Sequence, residues 1–185
     1  MPIVETVTDS GSAGEIADVA AATFPLACPP HARATDINGF IDAHLRAADF
    51  ETHINAHDSD VLVVRPHDGG PIIGYALLHH RPPANPVVAA AVTASPASEI
   101  SKIYVRPEHH ARRTAATQAP SRALMAAARD CAHARGSAVI WLGVNQENER
   151  AQRFYAKNGF TRAGTRTFEL GDRVEHDYVL VATLP

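Results

Sequence analysis

The chain has 185 residues, 45% of them hydrophobic and 20% charged, with a formal charge of −3. That length suits a single domain spanning residues 1–185, and the composition excludes global disorder. The charge is spread without a basic run, so nucleic-acid binding is not expected. No stretch approaches the ~18 apolar residues of a membrane span, and residues 1–12 lack the basic and apolar regions of a secretory signal. Two cysteines, Cys28 and Cys131, are too few for a disulfide framework and too far apart for a CxxC motif. A reduced, cytoplasmic protein is the expectation.

In chain order, Ile3 to Val7 reads as a short strand broken at Asp9-Ser10-Gly11. Ser12-Ala13-Gly14-Glu15 has the pattern of a capping box. Ile16, Val19, Ala20 and Thr23 then fall at helical spacing, and Pro25 is expected to end that helix. Thr35 or Asp36 caps a second helix with Ile37, Phe40, Ile41 and Leu45 on one face, and a further helical piece covers Ala47 to His57. Val61 to Val64, the turn His67-Asp68-Gly69-Gly70 and Ile72 to Leu78 form an antiparallel hairpin. Residues 81–98, rich in Pro, Ala, Val and Ser, read as an irregular loop without its own core.

Ile100 to Val105 is the next strand, and a helix containing Leu124, Met125, Ala128, Cys131 and Ala132 ends near Arg135, with Gly136 at its C′ position. Ala138 to Val144 is almost continuously apolar, as in a strand buried on both faces. Asn148 caps a helix that runs to Lys157 and closes at Gly159; Thr161–Leu170 and Val174–Ala182 are the last strands. Helices alternating with strands, together with hairpins, require a mixed sheet with helices packed on it.

The most specific segment is Asn148-Glu149-Arg150-Ala151-Gln152-Arg153-Phe154-Tyr155-Ala156-Lys157-Asn158-Gly159-Phe160, which follows the strand Trp141-Leu142-Gly143-Val144. It resembles the strand–helix unit of the GNAT superfamily of acyl-CoA-dependent N-acetyltransferases. Ile100 to Val105 followed by Arg106-Pro107-Glu108-His109-His110 resembles the superfamily's central strand and its exit into the pyrophosphate loop, and Ile73 to Leu77 matches an earlier strand. The resemblance covers residues 1–183. It implies an α/β (α+β) GNAT fold: a mixed, mostly antiparallel central sheet of about seven strands with helices on both faces.

The resemblance also implies roles. Two neighbouring parallel strands, ending at Val105 and Val144, splay apart and admit the pantetheine arm of acetyl-CoA as if it were a strand. Backbone groups of Ile103 and Val105 bond that arm, and Asn148 contacts it from the side as well as capping its helix. Tyr155 protonates the departing thiolate, or else is a helix aromatic packed on the sheet. Glu99, just before the central strand, is the candidate base, or else a solvated strand-start residue; Glu108 faces the loop. The acceptor is a primary amine of a small molecule or peptide, and its pocket is lined by the first helices and residues 81–98. The protein is a monomer or a homodimer paired through edge strands.

Eleven histidines invite a metal reading, but there is no HExxH and no Cys/His cluster in the sequence. No metal is expected, and His109 or His110 is placed at the cofactor entrance. One departure from the superfamily stands out. Its pyrophosphate loop carries glycines that let backbone N–H groups approach the anion. Here no glycine occurs between Gly74 and Gly136. Counting from the strand puts Arg113 and Ala115 at the glycine positions; counting back from the helix puts Ala119 and Ser121 there. Two readings follow: a remodelled loop that still binds acetyl-CoA with help from Arg112, Arg113 or Arg122, or a chain with weak or no acetyl-CoA binding that serves as a ligand-binding or interaction module.

Overall fold

The computed structural model describes residues 1–110 and 119–185. Seven strands are present: β1 (Ile3–Thr6), β2 (Ser59–Arg65), β3 (Gly74–His79), β4 (Ala97–Val105), β5 (Val139–Asn145), β6 (Thr161–Leu170) and β7 (Arg173–Thr183). Six α-helices accompany them among the described residues: α1 (Ala13–Ala27), α2 (Ala34–His44), α3 (Ala47–Asn55), α4 (Pro86–Ala91), α5 (Pro120–Ala134) and α6 (Glu149–Lys157). The sheet order is β1-β2-β3-β4-β5-β7-β6. Every neighbouring pair is antiparallel except β4 and β5.

The near-continuous apolar run of β2 divides by strand periodicity between two cores. Leu62 and Val64 face α5 and α6, with Leu124, Met125, Ile140 and Leu142. Val61 and Val63 face α1 and α3, with Ile16, Val19, Phe50 and Tyr75. The sheet thus has helices on both faces, as the resemblance implies.

Three local expectations are corrected. Ser12 makes no capping bond with its side chain; Glu15 instead accepts the Ile72 backbone N–H at 2.6 Å, tying α1 to the start of β3. Pro25 lies inside α1, which continues to Ala27, because a proline one turn from a helix end removes only one backbone bond. Residues 81–98 contain α4, capped by the Asn85 side chain on the Val87 and Val88 N–H groups. Its Val88, with Val92, builds a third apolar cluster with Trp141 and Val179, so this segment does contribute a core. Gly136 and Gly159 have φ of +79° and +84°, the left-handed C′ conformation expected of both.

Candidate active site

The parallel ladder between β4 and β5 is short. It pairs Ala97 with Val139, Ser98 with Ile140 and Glu99 with Trp141, and then stops. Beyond that point both strands continue, β4 to Val105 and β5 to Asn145, so they splay. A bulge in β4 lies at the same place. Leu77 pairs with Lys102 and Leu78 with Ile100, which leaves Ser101 as the extra residue. The bulge shifts the alternation of side chains. Ile100 and Ile103 face the α5 core, while Tyr104 faces the α1 core.

The splay opens a cavity of about 450 Å3. Ile103 and Val105 line it, as do Gly143 and Val144 across the split, and Asn148, Ala151 and Tyr155 from α6. Asn148 caps α6, accepting the Ala151 N–H at 3.1 Å. Tyr155 sits between the rings of Phe154 and Phe160, at 5.6 and 5.8 Å. Burial pushes its phenol pKa up, so the hydroxyl is protonated at neutral pH. Tyr104 also lines the cavity, and burial together with nearby Tyr155 pushes its phenol up as well.

Ser121, in the first turn of α5, lines the mouth of the cavity; Arg122 is exposed and does not line it. Arg112 and Arg113 lie outside the described residues. His110 does line the mouth. Its Nε2–H donates to the Val105 carbonyl at 2.7 Å, and Arg150 of α6 donates to its Nδ1. That pattern requires a neutral imidazole, and burial, reinforced by the Arg150 charge, holds the His110 pKa down. The backbone acceptor on the free edge of β4 is therefore occupied by a side chain of this chain.

The other end of the cavity is charged, and little of this was legible in the sequence. Arg166 of β6 donates through Nε to Asp177 of β7 at 3.2 Å and lies 3.6 Å from Glu99. Glu99 sits inside β4 at the last paired position, joined to the cavity wall through Arg166. Glu175, two residues before Asp177 and on the same face, accepts from His31 Nε2 at 2.9 Å. Both carboxylates are buried, at 8% and 6% exposure. Two acids on the inward face of an otherwise apolar strand were the available sequence signal, since unpaired acids are seldom buried.

Lys102 lines this cavity and a second one of about 370 Å3 beneath α2 and α3, where the rings of His53 and His79 stand 5.3 Å apart. Burial lowers the Lys102 pKa, opposed by Glu99. Cys28 lines the first cavity, but burial pushes its thiol up to about 11, so it is a poor nucleophile.

One tertiary cluster outside the cleft could not be read from the sequence. Among the described residues, Asp60, His80 and Cys131 bring potential ligand atoms within 4.8 Å of one another. Both Asp60 oxygens are engaged by Arg135, at 2.9 Å each, and Asp60 Oδ2 also accepts from His80 Nε2 and the Cys131 thiol. Burial and Asp60 push that thiol up to about 12, against metal-binding thiolate. His80 Nδ1 bonds Ser98 Oγ at 2.7 Å, giving a Ser–His–Asp chain. Ser98 is 0% exposed, so no substrate reaches it. The cluster is a strut joining α5 to β2, β3 and β4.

Comparison with known proteins agrees with this architecture. Residues 29–160 match the family model described as acetyltransferase (GNAT) family. An uncharacterised N-acetyltransferase of Mycobacterium tuberculosis strain H37Rv is 43% identical over 172 residues, covering 93% of this chain and 97% of that protein. Among solved structures, PaiA N-acetyltransferase from Thermoplasma acidophilum in complex with coenzyme A superposes with a TM-score of 0.70 at 16% identity, over 98% of this chain and 99% of that one. The ribosomal-protein-S18-alanine N-acetyltransferase from Escherichia coli gives a TM-score of 0.64 at 16% identity, over 100% and 94% respectively.

Proposed function

The chain belongs to the GNAT acetyltransferase family, and on that footing we propose that it moves an acetyl group from acetyl-CoA to a primary amine of a small molecule or peptide. The observation that carries this reading is the split between β4 and β5, with its unpaired β4 edge and adjoining cavity. A backbone edge of this kind accepts an extended amide chain as an added strand. Ile103 and Val105, two residues apart, present like-directed backbone groups along it. The residues present therefore fit an acyl-CoA arm, with Asn148 and Ala151 beside it and Ser121 at the mouth. When bound, acetyl-CoA supplies an activated thioester.

Each proton has a place to go. The amine nitrogen forms a bond to the acetyl carbonyl carbon as the carbon–sulfur bond breaks. Glu99, directly or through water, takes the proton lost by nitrogen, and Tyr155 gives one to sulfur. The products are an amide and a thiol, and exchange with solvent restores both side chains. In this reading the acceptor amine enters past Glu175 and Asp177, which line the cavity together with Leu26 and Ala27 at the C-terminal end of α1.

The test is acetyl-CoA titration by calorimetry, followed by thiol release from acetyl-CoA with a panel of primary amines and N-terminal peptides. Binding with amine-dependent thiol release is expected. No binding at millimolar acetyl-CoA would overturn the reading and favour a ligand-binding or interaction module.

A further inference from the structure

Arg166 occupies a place the fold reserves for it. It stands directly opposite Asp177 in the β6–β7 register. Its guanidinium lies 5.7 Å over the Trp141 ring and crosses Gly143, where any Cβ would collide with its Cζ, Nε and terminal nitrogen. Glycine inside a strand weakens the strand, so this one marks a close approach. The guanidinium reaches two arms of the split sheet at once: Glu99 where β4 leaves β5, and Asp177 opposite Asn145 on β7.

We propose that Arg166 is a positioning residue for acetyl transfer, holding Glu99 and Asp177 ionised and fixed at the point where the strands separate. This rests on the reading of Glu99 as the base. The charged groups facing the pair are Arg166 from β6, Lys102 from β4, Glu175 from β7 and Arg81 from the segment before α4. Burial raises both carboxyl pKa values. The Arg166 charge is the leading opposing influence on each, joined for Asp177 by the Nε hydrogen bond at 3.2 Å; Lys102 works in the same direction, and Glu175 pushes Asp177 further up. Without Arg166, both carboxyls would take up protons at higher pH. A base protonated at working pH cannot accept the amine proton.

The test is a direct titration of the Glu99 side-chain carboxyl by NMR, in protein labelled with 13C at glutamate and aspartate carboxyls. Arg166→Gln should move the Glu99 titration upward by about 1 pH unit or more. Arg166→Lys keeps the charge and should return much of that shift. Gly143→Ala, which displaces the guanidinium without deleting it, should shift Glu99 in the same direction by less. The acid limb of amine-dependent thiol release should follow these titrations. An unmoved Glu99 titration in Arg166→Gln, or equal shifts in Arg166→Gln and Arg166→Lys, would overturn the proposal. If Arg166→Gln does not fold, an unmoved titration in Gly143→Ala overturns it. Glu99→Gln separates the two ideas: full rate with an intact acid limb would refute Glu99 as the base while leaving the titration result standing.

Discussion

Replacing His110 by alanine should tighten acetyl-CoA binding. In the structure the Val105 carbonyl, one of the acceptors offered to an incoming arm, already receives His110 Nε2–H at 2.7 Å. An arm that bonds Val105 must first displace that contact. An intramolecular hydrogen bond of this kind contributes a net 0.5–1.5 kcal/mol or so, about 1 on average. At about 1.4 kcal/mol per decade, His110→Ala should improve affinity roughly 2- to 12-fold. The same change releases Arg150 from the imidazole Nδ1, leaving it available to phosphate at the mouth. That part of the gain should weaken with salt, because exposed charges are screened over about 10 Å at 0.1 M. The assay is calorimetric titration of wild type and variant with acetyl-CoA at low and high salt, beside a thermal melt to establish that both are folded. Unchanged affinity would mean that His110 does not compete for the edge. Weaker binding would mean that the imidazole itself holds the ligand, and the reasoning would be wrong.

Tyr155→Phe should lower turnover with little loss of stability, since the ring contacts with Phe154 and Phe160 are kept; an unchanged rate across a pH series would point to water as the acid. Gly159→Val should cost about 1 kcal/mol or more in denaturant unfolding, because a β-branched residue resists a φ of +84°. For Asp60, burial raises the pKa, but hydrogen bonds from Arg135 and Cys131 and the charges of Arg135 and His80 hold it below the usual carboxyl value. Its stabilisation is therefore present above the unfolded pKa of about 3.9 and lost as pH falls through the folded value; Asp60→Asn should cost about 1–3 kcal/mol at neutral pH and remove that acid-side loss from the unfolding profile. Replacing residues 111–121 with a short glycine-bearing loop should strengthen acetyl-CoA binding, read by the same calorimetry; equal affinity would show that this segment does not limit it.

The sequence alone determined the elements whose causes are local. Apolar runs on either side of the turn His67-Asp68-Gly69-Gly70 placed β2 and β3 as a hairpin. Asn148, Gly136 and Gly159 marked helix ends, because caps and left-handed turns depend on one or two residues. The order of strands and helices, with the segment from Asn148 to Phe160, carried the family resemblance and named Tyr155, Ile103 and Val105 before any contact was visible. Local signals misled where distant partners competed. Glu15 bonds Ile72 rather than its own helix start, and the apolar segment before β4 folds a helix because Trp141 and Val179 offer it a surface. Only the tertiary structure brought Arg166 between Glu99 and Asp177, residues separated by 67 and 11 positions, or His110 onto Val105 with Arg150 behind it. Charge pairing inside a cleft depends on sheet register, on a bulge at Ser101 and on the missing Cβ of Gly143. None of these has a sequence pattern of its own, since each is a relation between strands rather than a property of one.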